Sequence, residues 1–117
     1  MEYQFEKLVV YQGAMDLTES IYRETKDFPK EEMFGITSQI RRAAMSVALN
    51  IAEGKGRYHT KVFVQFLYQA RGSLYETITL LKMIQRLGYM KDGKAEDLLK
   101  KTELISAQLS NLINGIS

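Results

Sequence analysis

The stretch ITSQIRRAAMSVALNIAEGKGRYHT, residues 36–60, decides the fold. Ile40, Ala44, Val47 and Ile51 follow one another at the spacing of a single helix face. Two glycines and two cations then crowd together at Gly54, Lys55, Gly56 and Arg57. A phosphate-gripping loop would need G-x-x-x-x-G-K-[ST] after a strand and opening a helix. Here the glycines follow a helix, and no serine or threonine follows Lys55. The pattern predicts a helix stop instead, with Gly54 as a left-handed C-cap and Gly56 in the turn. Lys55 and Arg57 then complement the negative end of the helix dipole. The next helix begins at His59 or Thr60, so its free amides lie beside Lys55, Arg57, His59 and Lys61. Such a cluster suits an anion, although a solvated basic loop has the same composition.

The same periodicity extends outward in both directions. Val10, Ala14, Leu17 and Ile21 form one apolar face, and Phe63, Leu67, Ala70, Leu74, Leu81 and Ile84 form another. Ala95, Leu98, Thr102, Ile105, Leu109, Leu112 and Ile116 form a fourth. No strand-like alternation is sustained. Breakers fall between the faces. Phe28-Pro29 ends the first helix. Thr37 is the expected N-cap of the second. Gly88 ends the third, and Asp92 or Gly93 starts the fourth. Short connections make sequential helices antiparallel neighbours. The fold class is therefore all-α, an antiparallel up-down-up-down four-helix bundle, in one domain over residues 1–117.

Composition narrows the function classes. The 117 residues include no cysteine, which removes disulfides, thiolate metal sites and cysteine nucleophiles. The opening MEYQFEKLVVYQ lacks a basic segment followed by an apolar run, and no apolar run reaches the roughly 20 residues of a membrane span. A cytoplasmic protein without a membrane role is expected. The formal net charge is +2, but residues 33–90 carry eight basic and two acidic side chains, while residues 1–32 carry four basic and eight acidic. That asymmetry points to a charged partner or to another copy of the chain.

The second helix has a narrow polar stripe, Gln39, Arg42, Ser46, Asn50 and Glu53, on an otherwise apolar or small-residue circumference. A helix apolar on most sides is buried on more than one. A second subunit would supply that cover, and close packing by neighbouring helices would also satisfy it. Asn50, Glu53, Ser73 and Glu76 lie within otherwise apolar helices and form a candidate structural polar network with Arg42. Two glutamates in a bundle suggest a di-iron site, but those sites use Glu-x-x-His pairs, and the single histidine, His59, has Gly56 three residues before it. No metal, no cofactor and no catalytic residue are expected. Arg41 and Arg42 open the second helix and Lys82 and Arg86 close the third, so antiparallel pairing places them at one end. Tyr58, Tyr68 and Tyr75 offer aromatic surface for bases, or for a core edge or protein interface.

The runs FGITSQIRRAAMSVALNIAEGKGR, residues 34–57, and FVQFLYQARGSLYET, residues 63–77, carry a family resemblance. So do FEKLVVYQGAMDLTESIYRETKDFP, residues 5–29, and LGYM, residues 87–90. The chain resembles the four-helix bundle proteins encoded in intervening sequences of bacterial 23S ribosomal RNA genes, over nearly its whole length. It is also similar to the accessory variability proteins of diversity-generating retroelements. The resemblance implies a bundle that assembles into a ring, usually a homopentamer. It also implies binding of nucleic acid, and of a protein partner such as a reverse transcriptase, through a basic surface. The matching positions are Gln39, Arg41, Arg42, Asn50, Ile51, Ala52, Glu53, Gly54, Gly56, Arg57, Gly72, Ser73 and Glu76. The family commonly has tryptophan where Tyr11 stands, and Gly13 interrupts the first helix at about 1 kcal/mol against alanine unless a close contact uses it.

Charge and resemblance together lead to a non-catalytic module that contacts RNA or DNA phosphates without reading sequence. Lys55, Arg57, Lys61 and Arg71, with Arg41 and Arg42, are the candidate contacts. The alternative is a protein-interaction or scaffold protein whose cations serve its own subunit contacts.

Overall fold

The computed structural model describes residues 1–116. Four helices follow in order: α1 (Val9–Glu24), α2 (Ile36–Lys55), α3 (Thr60–Leu87) and α4 (Lys94–Ile116). Single turns of tighter helix at Gln4–Lys7 and Lys30–Glu32 precede α1 and α2. Each helix packs on its sequence neighbours, and α1 and α4 also meet, so the four form a square in chain order. Of these seams, α2–α3 is the most extensive and α1–α4 the least. The 28 residues of α3 span about 42 Å at 1.5 Å per residue, which sets the 43 Å long axis of the molecule. No helix among the described residues is long and apolar enough to cross a membrane.

The direction of each seam is read from its contacts. Ser46 meets Ser73 across α2–α3, and eight residues later Gly54 meets Phe66, so the partner runs backward. Across α1–α4, Gly13 faces Ile105 and Ser20 faces Lys101, again antiparallel. The apolar faces expected for α1, α2 and α3 are buried, as is that of α4 as far as Leu109, with Leu17, Ile40, Ile51, Leu67, Leu74, Leu81, Ile84 and Leu109 fully enclosed. Near the end of α4, Ile113 is buried in place of the expected Leu112 and Ile116, which are only partly covered. Thr25, Thr77 and Thr102 are buried beside them, and each hydroxyl donates to a carbonyl one turn back. That bond satisfies the oxygen inside the helix, so the threonine packs much like valine.

The helix ends differ from expectation in three places. α1 stops at Glu24, before Phe28-Pro29: the Phe28 amide returns to the Thr25 carbonyl at 3.2 Å, and the chain turns Phe28 inward against the Tyr89 ring. Thr37 does not cap α2. It lies inside the first turn, 5% exposed, with no hydrogen-bond partner for its Oγ1. Glu32 acts in its place: Oε1 accepts from the Ile36 amide at 3.3 Å, and Oε2 accepts from the Tyr89 hydroxyl at 2.9 Å.

Gly54 is not a left-handed cap either. It sits within α2, and Gly56 caps the helix at φ −76°. A Cβ on Gly54 would lie 2.5 Å from Phe66 Cβ and 3.0 Å from Phe63 Cδ1. The glycine is there so that α2 and α3 can approach. Left-handed backbone occurs among the described residues only at Gly88 and Gly93, which frame the α3–α4 turn. At Gly88 the amides of residues 88 and 89 return to the Gln85 and Ile84 carbonyls, which closes α3.

Candidate nucleic-acid interface

The α2–α3 turn gathers three of the six candidate cations. Gly54 and Gly56 bring the two helix ends together, so Lys55, Arg57 and Lys61 are exposed at one corner. Two are seated on rings supplied by α3. Lys55 Nζ lies 5.5 Å from the Phe63 ring centre, and the Arg57 guanidinium lies 5.2 Å from that of Phe66. Arg57 also pairs with Glu53 at 2.8 Å, both side chains being half exposed. An exposed pair of this kind contributes little stability and leaves the guanidinium available.

The other three lie elsewhere. Arg71 is ten residues beyond Lys61, about 15 Å along α3, with its guanidinium 4.8 Å from the Tyr68 ring centre. Arg41 and Arg42 are at the opposite end of α2, roughly 20 Å from Lys55. Arg41 is committed to the fold. Its Nε donates to Thr25 Oγ1 at 2.9 Å, its Nη2 to the Tyr22 carbonyl at 3.4 Å, and its guanidinium covers the Tyr22 ring at 4.6 Å. Arg42 is exposed and lines a groove of about 480 Å³ with Phe34, Ser38, Gln39, Ser46 and Glu76.

The four polar candidates separate in the same way. Ser46 Oγ and Ser73 Oγ lie 2.9 Å apart, bridging α2 to α3. Asn50 Nδ2 donates to Ser46 Oγ at 3.1 Å and to the Ser46 carbonyl at 2.9 Å. Asn50 and Ser73 thus share one hydrogen-bond chain whose middle member is Ser46. Glu53 turns away to Arg57, and Glu76 lines the groove with Arg42. The network centres on Ser46, which the sequence places on the polar stripe of α2 but not among the four candidates. Its signal was present, since Ser46 is one turn before Asn50 on the same stripe. Glu32 was also missed, because its role depends on Tyr89, which is 57 positions away.

These features define an all-helical antiparallel bundle whose α2–α3 turn is cationic. The chain belongs to the 23S rRNA-intervening sequence protein family, whose model matches residues 6–111. A solved structure from Bacteroides thetaiotaomicron VPI-5482, described as a protein with unknown function from the S23 ribosomal protein family, has the same fold. It superposes with a TM-score of 0.80 at 22% identity, over 90% of this chain and 98% of that one. No curated protein matches the chain.

Proposed function

We propose that this chain is a non-catalytic module that binds the phosphate backbone of RNA or DNA through the α2–α3 surface. The observation that carries the reading is the corner formed by Lys55, Arg57 and Lys61, where Glu53 is the sole acid in the turn's sequence and residues 54–75 contain none. Lys55, Lys61, Arg71 and Arg42 have no carboxylate within ion-pair distance among the described residues. Cations left free of carboxylates are available to phosphate, and such contacts position a strand without reading its sequence. Arg41 contributes by holding α1 against α2, and Arg42 adds charge at the far end.

The test is fluorescence anisotropy of a labelled structured RNA. Three or more phosphate contacts weaken binding about 20-fold or more when salt rises from about 50 to about 200 mM. Charge reversal at Lys55 and Arg57 should abolish most of the affinity. Unchanged binding would remove those two residues from the interface, and no binding at low salt would defeat the reading.

A second observation favours assembly. Met45 is 38% and Leu49 60% exposed, one turn apart on the outer face of α2. The same reading has a second copy cover them, in a head-to-tail contact between acidic α1 and the basic turn that closes into a ring, a ring of five by family resemblance. Leu49→Lys should shift the mass measured by light scattering towards 13.5 kDa. An unchanged mass would remove this face from the assembly. If the ring forms without any nucleic-acid binding, the chain is a scaffold.

A further inference from the structure

α3 carries four cations and one acid. At about 100° per residue, Lys61, Tyr68, Arg71, Tyr75, Lys82 and Arg86 fall within a sector of about 80°. Glu76, the acid, lies outside that sector, beside the groove of Arg42. One flank of the helix therefore alternates cations with tyrosines and holds no carboxylate. Tyr68 is 48% and Tyr75 52% exposed, and neither phenol makes a hydrogen bond among the described residues. The Arg71 guanidinium lies over the Tyr68 ring at 4.8 Å.

Gly72 lies one turn from each tyrosine, about 40–60° round the helix from them on the side of Glu76. It is exposed, and a Cβ there would meet nothing within 4 Å. A glycine in a helix interior weakens the helix. Gly54 has Phe66 as its reason, whereas no neighbour among the described residues accounts for Gly72. The open surface at Gly72 leaves room beside the two rings for a flat group to approach the helix.

We propose that the Tyr68–Gly72–Tyr75 flank of α3 is a stacking platform for the unpaired bases of a single-stranded nucleic acid, with Lys61, Arg71, Lys82 and Arg86 following its backbone. The inference rests on the nucleic-acid reading above and adds a strand preference carried by different residues. A duplex satisfies the cations but presents no free base face to the rings. A single strand satisfies both, because every base has a face that stacks on an aromatic side chain. The two tyrosines are about 10.5 Å apart along the helix, close enough for both to address one short strand.

The test compares a labelled single strand of about 12 nucleotides with the same sequence as a duplex, against the full chain. Wild type should prefer the single strand. The double variant Tyr68→Leu with Tyr75→Leu should lose about 30-fold on the single strand and leave duplex binding unchanged. Gly72→Leu, placed in open space, should produce the same selective loss and keeps the test open if the double variant misfolds. Equal affinity for both forms in wild type, or loss on neither or on both in the variants, overturns the platform while salt-dependent binding preserves the phosphate reading. Absence of binding to either form at low salt overturns both. A changed mass in light scattering for Gly72→Leu would assign the space to a second copy of the chain and overturn the proposal.

Discussion

Gly13, Gly54 and Gly72 are all interior helix glycines, and their surroundings give them different roles. Gly54→Ala places a methyl against Phe66 Cβ, a rigid part of the neighbouring helix. The propensity gain of about 1 kcal/mol is outweighed, and a net loss of about 1–3 kcal/mol is expected in urea unfolding. Gly13→Ala meets Ile105 Cγ1 at 3.4 Å, an ordinary contact. That variant should gain up to about 1 kcal/mol in the same measurement. Sequence alone does not separate the two glycines, because neither neighbour is near in the chain. Arg41 is a candidate cation by residue type, but its position over Tyr22 and Thr25 depends on how α1 ends. Arg41→Met should lose about 1–2 kcal/mol, read as a shift in urea midpoint. A variant as stable as wild type would show that the contact holds nothing together.

At the scale of the elements, the helical faces were legible because burial follows a period that the sequence itself carries. Val10, Ala14, Leu17 and Ile21 face the core as their spacing requires. Helix ends were less legible because distant groups fix them. Glu32 is the clearest example, joining the start of α2 to Tyr89 beyond α3. Its carboxylate accepts the Tyr89 hydrogen bond, and this bond, followed by partial desolvation and the charges of Glu32 and Glu31, raises the phenol above its ordinary pKa of 10.0. The raised folded-state value means that the contribution is complete below the unfolded pKa, near 10, and is lost as pH rises through the folded one. The stability difference between wild type and Tyr89→Phe should therefore be flat from about pH 7 to 9 and shrink above about pH 10. A difference that grows with pH would mean that the phenol is not held by Glu32.

For the whole molecule, the charge asymmetry was legible and its geometry was not. Six candidate cations chosen from α2 and α3 resolve into a corner of three, one arginine midway along α3, and two at the far end of α2. The reason is length: α2 is about 30 Å long, so residues close in sequence class are far apart in space. Ser46 shows the converse, since it joins Ser73 only because the helices are antiparallel.

The seam between α1 and α4 is the one pairing in the square whose helices are not consecutive in the chain, and it is also the least extensive. Elements joined by short connections lose little chain entropy on meeting, whereas this pair must bring opposite ends of the chain together. Opening should begin there. In native-state hydrogen exchange, amides of α1 should lose protection at lower denaturant than those of α2 and α3, which would persist to global unfolding as one cooperative unit. The bundle would then have a rigid half, bearing the basic turn and the tyrosine flank, and a looser half that can lift away from it.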